Sequence, residues 1–215
     1  MTMQFESLIF DIDGTIWDSR ALVAEGYNLQ LCQEGMAEFC VDAERLRPLF
    51  GKVKDAIADA LFPQLPPRER YSLIERCMER EHRHLLENEC RIGYEGIEET
   101  LEFLSKSHRL FIVSNSQQGY PELCMEKLGL GSWITGHLCF GDTGTSKGKT
   151  IRTLMQRHGI ASCAYIGDTQ GDYEATLEAG VPFIWADYGF GTPAGYHLRI
   201  HAPRDLIQLE QEGKL

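Results

Sequence analysis

Short, continuous apolar runs punctuate this chain. The clearest are Ser7 to Asp11 (SLIFD), Leu110 to Ser114 (LFIVS), Ala164 to Asp168 (AYIGD) and Val181 to Ala186 (VPFIWA), with a weaker run at His137 to Phe140. None alternates with polar residues, so each reads as a strand covered on both faces, as in a parallel sheet. Helical periodicity lies between them. Glu95 to Ser105 puts Ile97, Leu101 and Leu104 on one face. Pro121 to Leu128, Lys149 to His158 and Tyr173 to Ala179 are each followed by a glycine stop, at Gly129, Gly159 and Gly180. Strands alternating with glycine-stopped helices predict an α/β fold with a parallel sheet.

One stretch breaks that rhythm. From about Ser19 to Asn88 only helical patterns occur: Ala21 to Glu34, Ala43 to Phe50, Val53 to Leu61 and, after Pro66-Pro67, a long charged segment Arg68 to Glu87. This predicts a small helical bundle inserted after the first strand. Hinges are expected near Asp18-Ser19 and near Glu89 to Gly93.

Composition narrows the class. The 215 residues suit one large domain or a domain with a modest insertion. No run approaches the roughly 20 apolar residues that span a bilayer. No basic-then-apolar leader opens the chain, so a cytoplasmic location is expected. The seven cysteines are odd in number and lack C-x-x-C spacing, which fits reduced thiols. A net charge of −11 disfavours nucleic acid and anionic membranes as partners. Any anionic substrate must then be captured by local cations.

The candidate chemistry gathers at strand ends. Ligands of open α/β sheets bind at the carboxyl edge. Asp11 ends the first run with Asp13 just beyond, Ser114-Asn115 end the second, and Asp168 ends the third with Asp172 following. Lys147 lies just ahead of the helix that precedes that third run, with Lys149 a rival two residues on. Clustered carboxylates repel unless a cation joins them, and hard oxygen donors suit Mg²⁺. A metal would keep Asp11 ionised for nucleophilic attack. Asp13 is placed to protonate a leaving alkoxide and then deprotonate water. Gly14 permits a tight turn that the Thr15 hydroxyl can support. The Ser114 hydroxyl, an Asn115 backbone N–H and the Lys147 charge are suited to hold a transferring phosphoryl group.

These residues resemble the haloacid dehalogenase superfamily of phosphatases. Asp11-Ile12-Asp13-Gly14-Thr15 is similar to its first motif, Ser114-Asn115-Ser116 to the second, Lys147 to the third, and Gly167-Asp168-Thr169 through Asp172 to the fourth. The order is the family's, and the resemblance spans almost the whole chain. A helical insert between the first two motifs is similar to the phosphoglycolate phosphatase and β-phosphoglucomutase branch. The resemblance implies a three-layer, Rossmann-like core (residues 1–16 and 91–215) with a mobile helical cap (residues 17–90). It implies Mg²⁺ held by the Asp11 side chain, the Asp13 carbonyl and Asp168, with Asp172 supporting the metal site. It also implies a phosphoaspartyl intermediate on Asp11 and a small-molecule phosphate substrate, phosphoglycolate being the leading candidate. A monomer or homodimer is expected.

Cap residues are read for specificity. Gly51 and Lys52 lie between two cap helices, where related enzymes place a specificity loop; a helix stop and a solvated lysine is the plainer reading. Trp17 and Arg20 follow the nucleophile turn and either face substrate or pack at the hinge. Asp187 to Gly191 (DYGFG) reads as a structural loop at the active-site edge, and His82 and His84 as a solvated helix face. Dehalogenase and phosphonatase chemistry would not need the acid at Asp13. A phosphomutase, kept open by Arg20, Lys52 and Lys54, would need cap residues that hold a bisphosphate intermediate. A non-catalytic regulatory protein would not need Asp11, Asp13, Lys147 and Asp168 together.

Overall fold

The computed structural model describes residues 5–215. They form two compact units: residues 5–18 with 92–215, and residues 19–91. The chain leaves and re-enters the first unit two residues, then one, beyond the expected boundaries. Trp17 therefore belongs to the first unit. It makes a parallel bridge with Asp13 and an antiparallel bridge with Gly93. Asp18 N–H donates to Ile92 (2.8 Å) and Tyr94 N–H to Ile16 (3.1 Å), so the outgoing and returning chains are zipped together.

The first unit is a six-stranded parallel sheet. Its strands are β1 (Ser7–Phe10), β2 (Arg109–Ser114), β3 (Ile134–Cys139), β4 (Cys163–Gly167), β5 (Phe183–Ala186) and β6 (Leu198–Ile200). They are ordered β3-β2-β1-β4-β5-β6, every neighbouring pair parallel. Strand order reverses at β1 and β4, the position where open α/β sheets bind ligands. The weak fifth run is the end of a longer strand, β3, and β6 lies beyond the four clear runs. Helices of the unit are α5 (Ile97–Leu104), α6 (Tyr120–Leu128), α7 (Phe140–Thr143), α8 (Lys147–His158), α9 (Gln170–Ala179) and α10 (Asp205–Gln211). On one face of the sheet, Ile9, Phe111, Val113, Tyr165 and Phe183 pack with Ile151 and Leu154 of α8 and Ala175 of α9. The three anticipated glycines do end α6, α8 and α9, each in the left-handed conformation.

The second unit contains α1 (Arg20–Gln33), α2 (Ala43–Leu46), α3 (Lys54–Leu61) and α4 (Pro67–Glu87). The expected helix to Phe50 stops at Leu46 and tightens into a 3₁₀ turn over Arg47–Leu49, with Pro48 inside it. A proline without an N–H fits that short turn and not a continuing α-helix. Val23, Tyr27 and Leu31 of α1 meet Leu73, Ile74 and Cys77 of α4 around Leu61 and Phe62, a core separate from that of the sheet.

Candidate active site

Four segments bring the site together at the carboxyl edge of β1, β2 and β4. Asp11 is the first residue past β1, and its N–H donates to Ile166 of the neighbouring β4 (2.9 Å). Lys147 is the first residue of α8, not a residue ahead of it. Its ammonium donates to Asp11 Oδ1 at 2.8 Å and to Asp172 Oδ1 at 2.6 Å, all three side chains being buried. Of the two candidate lysines, Lys147 bonds to Asp11, whereas Lys149 is exposed.

Asp172 does two jobs at once. Thr169 caps α9 with its hydroxyl accepting from the Asp172 N–H (3.1 Å), and Asp172 Oδ2 accepts from the Thr169 N–H (3.0 Å), a reciprocal capping box. The same Oδ2 takes the Thr169 hydroxyl at 2.6 Å, while the other oxygen takes Lys147 and, at 3.3 Å, Tyr165 Oη. With both oxygens so occupied, Asp172 anchors Lys147 and the start of α9.

Asp168 is different. It is fully buried; its Oδ2 accepts from the Phe190 N–H at 2.7 Å, but its Oδ1 has no hydrogen-bond partner among the described residues. An orphaned, buried carboxylate oxygen is costly unless something cationic meets it. Oxygens of Asp11, Asp168 and Asp172 lie within 4.8 Å of one another, and no other group of three or more His, Cys, Asp or Glu among the described residues is arranged to hold a metal. Three buried carboxylates face one lysine. The donor set is all oxygen and carries excess negative charge, which fits a hard divalent cation.

Electrostatics say the same. Burial pushes Asp11 up to about 7, Lys147 opposing the shift and Asp172 adding to it. Burial, then repulsion from Asp172 and Asp11, raises Asp168 well above the carboxylate range. Asp172 goes the other way: burial opposes its charge, but Lys147 and the hydrogen bonds from Thr169 together outweigh it and hold the carboxyl low. For Lys147, burial is outweighed by Asp11 and Asp172, which hold the ammonium above its ordinary range.

The turn after β1 is built for close approach. At Gly14 (φ +83°), a Cβ would lie 2.1 Å from Asp168 Oδ2, so no side chain fits. The expected support from Thr15 is absent: its hydroxyl has no partner among the described residues, and its carbonyl instead accepts from Tyr188 Oη (2.9 Å). The loop expected at the active-site edge, Asp187 to Gly191, contacts the site directly, through Phe190 on Asp168 and Tyr188 on Thr15. Nothing in a glycine-rich loop sequence names such partners.

Asp13 is half-buried, and its Oδ1 accepts from Trp17 Nε1 (2.7 Å) and Tyr120 Oη (3.0 Å). Trp17 is fully buried, with its indole on Asp13. Tyr120 had no sequence signal, because 107 residues separate it from Asp13. Ser114 ends β2, buried, with its Oγ accepting from the Ser116 N–H at 3.3 Å; Asn115 follows it, half-buried. Arg20, Gly51 and Lys52 lie in the helical unit. Arg20 pairs with Glu44 (3.1 Å), Gly51 sits in a turn at φ +79°, and Lys52 is exposed. Lys54 pairs with Glu75 and His84 with Glu25. Two of the three cations that favoured a mutase are thus engaged within their own unit.

The family model for haloacid dehalogenase-like hydrolases matches residues 8–186. The chain belongs to the haloacid dehalogenase-like hydrolases. Among the relatives of this hydrolase is a phosphoglycolate phosphatase of Xanthomonas campestris pv. campestris strain 8004, 27% identical over 190 residues, covering 86% of this chain and 84% of the relative. A 5'-nucleotidase of Pseudomonas aeruginosa is 26% identical and covers 97% of this chain and 96% of its own. The fold is shared with a haloacid dehalogenase-like hydrolase of Streptococcus pneumoniae (TM-score 0.82, 20% identity, 96% of this chain and 99% of that one). The hydrolase is an enzyme of the phosphatase type, a phosphoric monoester hydrolase. No helix among its described residues is long and apolar enough to cross a membrane.

Proposed function

We propose that this hydrolase cleaves a small-molecule phosphate monoester with Mg²⁺, through a phosphoaspartyl intermediate on Asp11. The observation that carries the reading is the buried cluster in which Asp11 is held by Lys147 beside Asp168, whose Oδ1 lacks a partner among the described residues. The Asp11 and Asp168 carboxylates and the Asp13 carbonyl would hold the metal, with Asp172 behind them. When bound, Mg²⁺ would neutralise the carboxylates and the substrate phosphate, lowering the cost of bringing them together.

The chain's own residues then divide the work. Asp11 attacks phosphorus, forming the Asp11–phosphoryl bond as the ester P–O bond breaks. Asp13 gives its proton to the departing oxygen. Water next attacks the phosphoryl group, returns a proton to Asp13 and frees Asp11 and inorganic phosphate. Ser114, the Asn115 N–H and Lys147 hold the phosphoryl oxygens where charge develops.

Asp11→Asn should abolish phosphate release from p-nitrophenyl phosphate with Mg²⁺ while leaving circular dichroism unchanged. Retention of wild-type turnover by that variant would sink the covalent mechanism. Phosphoglycolate is the leading substrate, and the two relatives make 5'-nucleoside monophosphates the natural comparison. Ranking kcat/KM across both classes and sugar phosphates tests this. Conversion of a sugar phosphate to its isomer without phosphate release would instead indicate a mutase.

A further inference from the structure

Asp13 is gripped on one side: two side chains donate to one and the same oxygen. Trp17 Nε1 lies 2.7 Å and Tyr120 Oη 3.0 Å from Asp13 Oδ1. The two rings brace each other edge to face, with centroids 5.6 Å apart and planes at 82°. Trp17 has no solvent exposure and Tyr120 almost none. Their backbones are equally fixed. Trp17 is bridged to Asp13 and to Gly93, and its carbonyl accepts from the Gly14 N–H at 2.9 Å. Tyr120 is the first residue of α6.

We propose that Trp17 and Tyr120 are positioning residues for proton transfer, fixing Asp13 Oδ1 as an acceptor so that the proton is exchanged through Oδ2. The inference rests on the reading of Asp13 as acid and base. Its key is chemical: an indole N–H can donate but never accept. Oδ1 must therefore remain an acceptor whether or not the carboxyl carries a proton. A phenol could reverse its role; the indole cannot. Two donors fixed on separate elements also oppose rotation of the carboxylate plane, which would break both bonds. In the first step, the proton leaves Oδ2 for the ester oxygen as the P–O bond breaks. In the second, the attacking water returns a proton to Oδ2 as the Asp11–phosphorus bond breaks.

The test uses leaving groups. A p-nitrophenolate departs with little help from an acid, whereas an alkoxide needs the proton. Full-length Trp17→Phe, Tyr120→Phe and Asp13→Asn would be assayed with Mg²⁺ on p-nitrophenyl phosphate and on n-butyl phosphate. Tyr120→Phe keeps the buried ring, so it reports even if Trp17→Phe folds poorly. Each positioning variant is expected to lose about ten- to hundredfold in kcat/KM on the alkyl ester and only a few-fold on the aryl ester, part of the roughly 10²–10⁴ that a general acid contributes. An equal loss on both esters, or no loss, for a folded Tyr120→Phe overturns the proposal. If Asp13→Asn itself discriminates strongly between the esters while the two aromatic variants do not, only the positioning roles fail. If Asp13→Asn does not discriminate either, the acid assignment fails, and the positioning roles with it.

Discussion

Lys147 shows how much one side chain can carry here. Its ammonium is the only described basic group bonded to both Asp11 and Asp172, at 2.8 and 2.6 Å. Lys147→Ala should lower kcat by about 10²–10³, the range seen on removing one preorganised donor to a developing oxyanion. Lys149→Ala, at an exposed site, should stay near wild type in the same phosphate-release assay. Asp11 supplies the pH prediction. In the metal-free protein burial raises its carboxyl from 3.8 to about 7. Below about 7 the group is therefore protonated, and a metal must displace that proton. Apparent Mg²⁺ affinity should weaken up to tenfold per unit as pH falls below about 7. Titration calorimetry in buffers of different ionisation enthalpy would detect the released proton. A pH-independent affinity would contradict the assignment of Asp11 as a ligand. At this scale Asp11, Ser114 and Asp168 were legible because each closes an apolar run, and Asp13, Lys147 and Asp172 because of their order and spacing relative to those runs. Tyr120, Tyr188 and Phe190 were not, because their roles depend on contacts with distant residues.

At the scale of elements, Gly26 lets α1 approach α4 closely. A Cβ there would lie 2.7 Å from the backbone Cα of Glu81 in α4. Backbone cannot step aside as a side-chain tip can. Gly26→Ala would gain about 1 kcal/mol in helix propensity. Overpacking costs about 1–3 kcal/mol, and a contact with backbone belongs at the upper end. A net fall in melting temperature of a few degrees is expected, read by calorimetry. An unchanged or higher melting temperature would mean that α1 and α4 separate freely. Element type was mostly legible, and errors fell where local signals were weak. The start of α8 was placed two residues late, at Lys149, because Gly148 is a weak helix former. The three-residue β6 is too short to show a period, and β3 carries Gly136 inside it.

At the scale of the whole molecule, a chain of net charge −11 concentrates three carboxylates in one buried cluster. A metal there should stabilise the fold. At a concentration of 100 Kd the linkage gives about 2.7 kcal/mol, or roughly 5–10 °C in melting temperature for a chain of this size. Scanning fluorimetry with Mg²⁺ against EDTA should show that rise, and Asp168→Asn should remove most of it. Equal melting temperatures in Mg²⁺ and EDTA for the wild type would argue against a structural Mg²⁺ at this cluster. The division into a sheet unit and a helical unit was legible in the change from apolar runs to helical periodicity. Its boundaries were less so, because Trp17 looks like any aromatic residue near a hinge until its indole is seen on Asp13.

By itself, the sequence determined what local physics can fix. Continuous apolar runs made parallel strands, glycines stopped the helices between them, and acids at strand ends marked where chemistry sits. Tertiary structure alone decided which groups meet. It put Lys147, and not Lys149, on Asp11, turned Asp172 into the anchor of that lysine, and left one oxygen of Asp168 without a partner among the described residues. It also brought Tyr120 to Asp13 and gave the Asp187 to Gly191 loop its partners, Asp168 and Thr15. The reason is that hydrogen bonds and desolvation depend on distance in space, and sequence separation does not report it.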